Sequence, residues 1–148
     1  MNKSLKSDFP ILQKKIRNNS ITYLDTASTS QKPSAVIESI TNFYHNSYEN
    51  VHRGMNSLSI DATEIFEASR EKIKNFINAQ SSNEIIFTKN ATEGTNIIAH
   101  ALSSLLNDGD EIITTELEHH SNFLPWMSLS KNKKLKFKVI PILPNGTI

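Results

Sequence analysis

The chain has 148 residues, 21% of them charged, with a net charge of +1. That suits one ordinary globular domain, with no charge excess pointing to nucleic acid or a membrane surface. It contains no cysteine, which excludes disulfides, thiolate metal sites and a cysteine nucleophile within these residues.

Residues 1–10 are polar and mixed in charge, without the apolar run of a signal peptide. No stretch approaches the roughly 20 apolar residues of a membrane span, so a cytoplasmic location is expected. Residues 7–17 carry Phe9, Ile11, Leu12 and Ile16 and read as a docked arm or short helix. A β-like run at 21–25 follows, then the small polar stretch 26–30. Pro33 stands where a helix begins, because its fixed φ suits the first turn. Val36, Ile37, Ile40, Phe43 and Tyr44 follow at helical spacing.

After a loop at 46–56 that holds His52-Arg53-Gly54, a longer helix is predicted over 59–79. Its apolar stripe is Ala62, Ile65, Phe66, Ile73, Phe76 and Ile77. Strand and helix then alternate: strand 84–88, helix 92–106, turn 107–110, strand 111–115, short helix 122–130 and strand 135–142. Pro144-Asn145-Gly146 makes a further turn. This order predicts an α/β fold with a mostly parallel sheet flanked by helices.

Ligands of open α/β sheets gather where strand C-termini meet helix N-termini. Two loops fall there. The first, Ala91-Thr92-Glu93-Gly94-Thr95-Asn96, opens a helix. Its first N–H groups lack internal partners and its dipole favours anions, so a phosphate is a natural guest. Thr92 adds a hydroxyl, and Gly94 permits close approach to the backbone. Simple helix capping by Thr or Asn, with Gly94 as punctuation, explains the same residues.

The second loop is Glu116-Leu117-Glu118-His119-His120-Ser121-Asn122. A histidine just past a strand serves as a general base, a metal ligand, a flat platform for an aromatic ligand, or merely part of a solvated loop. The metal reading is poor, with no His-Glu-x-x-His and no cysteine, so no metal site is expected. His52 and Arg53 suit an anion, a partner subunit or plain surface. His45 and His100 sit inside helical patterns and are read as structural. Lys134, Lys136 and Lys138 alternate with Leu135, Phe137 and Val139, which reads as a strand with one wet face rather than a nucleic-acid surface.

Taken in order, the pieces resemble one family. They are Tyr23-Leu24-Asp25-Thr26-Ala27-Ser28, Gln31-Lys32-Pro33, Val51-His52-Arg53-Gly54, Leu58-Ser59, Ala91 to Asn96, Glu118-His119-His120-Ser121-Asn122 and Pro125-Trp126. The chain resembles the SufS-type (group II) cysteine desulfurases, among the class V, fold-type I aminotransferases, from about Asp8 to Ile148.

The resemblance implies pyridoxal 5′-phosphate (PLP) as cofactor, L-cysteine as substrate, a homodimer and a sulfur-acceptor protein, with sulfur passed on as a persulfide for iron–sulfur assembly. It places Ala91 and Thr92 at the cofactor phosphate and His119 on the pyridine ring. Ala27 falls near the substrate, and His52 and Arg53 near the site at the dimer interface. Where the family has Ala-Ala-Ser, this chain has Ala27-Ser28-Thr29. No Ser-x-His-Lys with the family's Schiff-base lysine occurs, and no persulfide cysteine. The expectation is therefore an N-terminal arm plus part of the large PLP-binding domain (about 20–148), an incomplete fold-type I domain with no catalytic residue in this chain and inactive alone. The alternatives are a noncatalytic binding protein of the same fold, or one half of a split enzyme.

Overall fold

The computed structural model describes residues 5–148, and the chain divides into two compact units, Met1–Ile85 and Ile86–Ile148. In the first unit the predicted arm forms two single 3-10 turns, Leu5–Asp8 and Pro10–Gln13. Strand β1 (Lys15–Ile16) then pairs antiparallel with β2 (Asn19–Ser20). Arg17 and Asn18 adopt φ values of 49° and 66°, the left-handed pair that closes a two-residue hairpin. The β-like run expected at 21–25 is not a strand. No strand among the described residues pairs with it, and a strand exists only as half of a ladder.

Helix α1 (Ser34–Asn46) starts just after Pro33, which is the extended N-cap at ψ 156°. Helix α2 (Ser57–Ile77) begins two residues before its predicted start because Asn56 caps it, accepting the Ser59 N–H. Asn78, left-handed at φ 58°, ends it. The predicted α2 stripe is only partly covered: Ala62 is buried, while Phe76 is 86% and Ile77 57% exposed. The spacing correctly marked a helix, but no described element lies over that end of the stripe.

Gly54 has a steric reason. A Cβ there would sit 2.2 Å from both Cβ and Oγ of Ser59. Ser59 is itself buried at 1% exposure, and its hydroxyl donates to the Asn50 carbonyl at 2.5 Å. Only glycine lets this loop lie so close to α2.

The strand expected at 84–88 is likewise absent. Glu84 instead completes a reciprocal capping box with Ser81 around the turn Ser82–Glu84. Residues 85–88 run on without a ladder partner.

The second unit holds the α/β element. Helix α3 (Ala91–Leu102) is shorter than the predicted 92–106. The Ser103 and Ser104 hydroxyls bond back to the carbonyls of His100 and Ala101, competing with helix continuation. Strand β3 (Glu111–Thr115), helix α4 (His120–Lys133) and strand β4 (Lys136–Ile140) follow. The two strands are parallel, with Ile113 opposite Lys138. This two-stranded sheet is the parallel element expected, flanked by helices and small.

Helix α4 outruns its expected 122–130 at both ends, capped by His119 and closed by left-handed Lys134 at φ 55°. Ala99, Leu129 and Leu135 form the core of this unit, with Leu106, Ile112 and Trp126 against it. Phe123 meets Phe137 edge-on at 5.3 Å.

The lysine run behaves as a wet strand face. Lys138 Nζ lies 2.7 Å and Lys136 Nζ 3.5 Å from the Glu111 carboxylate. The Lys138 bond, and then Lys136, hold the Glu111 carboxyl below its ordinary value. His45 and His100 lie on α1 and α3, both exposed. No described helix is long and apolar enough to cross a membrane.

Candidate functional site

The start of α3 is capped by Asn90, whose side chain accepts the Glu93 N–H at 2.9 Å. Glu93 reaches back to accept the Lys89 N–H at 2.5 Å. The capping explanation of this loop is therefore realised, but by Asn90 and Glu93 rather than by Thr92. The signal was present as Asn-x-x-Glu, a capping-box spacing. Gly94 N–H goes to the Asn90 carbonyl.

Those bonds use the third and fourth N–H groups of the helix. The N–H groups of Ala91 and Thr92 remain at the positive end of the dipole, where an anion supplies what the helix cannot. Gly94 does less than expected. A Cβ there would meet Thr88 Oγ1 at 3.6 Å, an ordinary contact, so nothing in this chain demands glycine.

The second loop meets the first. Thr92, Asn96, His119, His120, Ser121, Leu124, Pro125 and Ser128 line one open pocket of about 500 Å³, within the range of small-molecule sites. Of the sequence-predicted residues, Thr92 and His119 are brought together in it, with Ala91 beside Thr92 at the first helical position. Reading the loops separately gave Asn96 no role of its own and left Leu124 unremarked.

His119 is the N-cap of α4. Its Nδ1 accepts the Ser121 N–H at 3.1 Å and lies 2.8 Å from Ser121 Oγ. Around it, Asn122 donates to Glu118 at 2.8 Å and accepts from Trp126 Nε1 at 3.0 Å. The pocket is thus lined by Thr92 from the start of α3 and by the His119 imidazole, with Ala91 next to Thr92 in the chain. Among the described residues, no group of three His, Cys, Asp or Glu side chains is placed to share a metal ion.

Ala27, His52 and Arg53 belong to the first unit. Ala27 lies in a tight turn, where Ser28 and Thr29 N–H groups donate to the Asp25 carbonyl. The Tyr23 hydroxyl closes it, 2.5 Å from the Thr29 carbonyl. His52 has the uncommon φ of 70°. Its N–H donates to Thr63 Oγ1 at 2.9 Å. Its Nε2 lies 2.8 Å from Glu67, and its ring meets Phe66 edge-on. His52 is thereby tied to α2, while Arg53 is exposed.

Glu67 also binds Arg70 at 3.1 Å, and Arg70 donates to the carbonyls of Ser82 and Ile85. The chain His52–Glu67–Arg70 was not singled out in the sequence. Its one trace was acid and base three apart on a helix. The hydrogen bond from His52, and then the Arg70 guanidinium, hold the Glu67 carboxyl below its ordinary value of 4.5. Its folded form binds protons less readily than its unfolded form. The stabilisation is therefore present above the ordinary value and lost as pH falls through the lowered one. Glu67→Gln is expected to flatten the dependence of melting temperature on pH in that acid range, while leaving a smaller effect near neutrality. Equal acid slopes in the two proteins would show that the ion pair contributes nothing.

A parallel pair of strands, one loop at the end of β3 and a pocket that brings the start of α3 to an imidazole define an α/β unit with one concave site. The comparisons narrow this. Residues 22–148 match the aminotransferase class-V family, and the chain belongs to that family. A cysteine desulfurase of Serratia proteamaculans is 45% identical over 145 residues, 97% of this chain and 36% of the relative.

The apo structure of cysteine desulfurase from Thermococcus onnurineus NA1 has a TM-score of 0.82 and 38% identity, covering 92% of this chain and 32% of that one. A mutant of C-DES with glycine covalently linked to its PLP cofactor shares the fold at 23% identity and a TM-score of 0.75, covering 93% of this chain and 33% of that one. The chain thus spans about a third of the length of the proteins it matches.

Proposed function

We propose that these residues are the phosphate- and ring-holding wall of a PLP-dependent cysteine desulfurase of the SufS type, part of the large cofactor domain. The observation that carries the reading is one pocket lined by both Thr92 and His119, with amides at the start of α3 that have no partner among the described residues. The N–H groups of Ala91 and Thr92, with the Thr92 hydroxyl, receive the phosphate. The imidazole of His119 stacks on the pyridine ring. Bound there, PLP would supply an electron sink for the electron pair released when a bond to an amino acid's α-carbon breaks.

The overall reaction in this reading takes L-cysteine and an enzyme thiol to L-alanine and an enzyme persulfide. The thiol and the Schiff-base lysine lie outside residues 1–148, which contain no cysteine. Ala27, His52 and Arg53 are assigned to the substrate side or the interface of a homodimer, and the persulfide passes to an acceptor protein for iron–sulfur assembly.

The test titrates the chain with PLP and with inorganic phosphate, followed by absorbance. Saturable PLP binding that phosphate competes is expected, roughly tenfold weaker in His119→Ala while phosphate binding is unchanged; about 1.4 kcal/mol lies within the range of lost stacking. Equal PLP affinity in the two proteins would remove the role of His119, and no competition would remove the phosphate site.

A further inference from the structure

His119 and Ser121 make an arrangement that the cofactor reading leaves unused. The imidazole of His119 caps α4 by accepting the Ser121 N–H at Nδ1, 3.1 Å away. A main-chain N–H can only donate, so Nδ1 must present its lone pair, and the neutral ring carries its proton on Nε2. Nδ1 has one in-plane lone pair. The Ser121 hydroxyl, 2.8 Å from the same nitrogen, shares it with that N–H as the second branch of a bifurcated bond, from a side chain with few rotamers. Two contacts from one residue fix both the rotation of the ring and its tautomer. Nε2 makes no hydrogen bond among the described residues, and the ring lines the pocket shared with Thr92.

We infer that Ser121 is a positioning residue: its N–H and hydroxyl together hold Nδ1 of His119 as an acceptor, so that a ring of set orientation, protonated on Nε2, faces the pocket. Its occupant is a heteroaromatic ring carrying a phosphate, and in that respect the inference rests on the cofactor reading above. The cap gives α4 a stable start, and the same bond aligns the pocket wall. A residue supporting a contacting side chain in this way matters because a loosely held ring forfeits stacking geometry.

The test has two arms on the 148-residue chain. In the first, ¹⁵N NMR without any ligand reads the His119 ring and looks for a ¹⁵N–¹⁵N coupling across the bond from Ser121 N–H to Nδ1. A visible coupling with Nδ1 unprotonated at neutral pH is expected; a protonated Nδ1, or no coupling, overturns the inference. In the second, PLP and inorganic phosphate are titrated into wild type, Ser121→Ala and Ser121→Thr. Loss of one neutral hydrogen bond predicts PLP binding weakened about threefold or more in Ser121→Ala, with phosphate binding unchanged and the threonine variant restored.

If Ser121→Ala weakens PLP and phosphate alike, or neither, the hydroxyl has no positioning role. If wild type fails to prefer PLP over phosphate, the cofactor reading fails instead, and the coupling measured without ligand still decides what Ser121 does to His119.

Discussion

Ala91→Pro is expected to weaken binding of both PLP and inorganic phosphate by about 1.5–3 kcal/mol, the range for a hydrogen bond to a charged group. The substitution is chosen for what it leaves alone. Ala91 is the first residue of α3, and Asn90 before it is extended at ψ 173°. Proline is favoured at the first helical position and requires an extended residue before it. The helix is therefore retained, while one of the two amides with no partner among the described residues is deleted from the positive end of its dipole. Isothermal titration with phosphate, beside a circular dichroism spectrum, separates the outcomes. Unchanged affinity with an intact helix would place the anion elsewhere. Reduced affinity for phosphate and PLP alike would place it on α3.

Gly54→Ala is expected to destabilise the first unit by about 1–3 kcal/mol, the usual cost of overpacking a tight contact. The colliding atoms are Cβ and Oγ of Ser59, both 2.2 Å from the added methyl carbon. Relief by rotating the serine hydroxyl is insufficient, because Cβ is fixed to the α2 backbone. The loop must move instead, and with it the bond from the Ser59 hydroxyl to Asn50 and from the His52 N–H to Thr63. Urea unfolding of wild type and variant gives the difference. The double variant Gly54→Ala with Ser59→Gly removes the colliding side chain and is expected to recover part of the loss. A single variant as stable as wild type would show that the loop yields freely.

Both expectations depend on features that differ in how far they were visible in the sequence. Elements fixed by neighbours within one turn were legible. Helices α2 and α3, strand β3, and the turn at Gly109, where φ is 91°, follow from spacing, capping residues and glycine. The loop after β3 lies at a strand end as the alternation of strand and helix implied, whereas the loop before α3 follows residues 85–88, which form no strand. Legible too was the wet face of Lys136 and Lys138, which pair with Glu111 across the ladder.

The segments 21–25 and 84–88 show the limit of that reading. Each has the composition of a strand and neither is one, since pairing requires a second chain segment at the right place and composition specifies only willingness to pair. The stripe on α2 has the same limit: periodicity says which face is apolar, and only packing says whether it is covered.

The site divides along the same line. The sequence by itself determined that α3 would open with amides suited to an anion and that a histidine would follow β3. Both depend on residues within a few positions of one another, where backbone geometry leaves little choice. Only the tertiary structure decided that Thr92 and His119 share one pocket. It also decided that Gly54 lies against Ser59. Such contacts depend on the angles at which elements leave their turns, and a difference of a few ångströms there makes or breaks a hydrogen bond that no spacing rule contains.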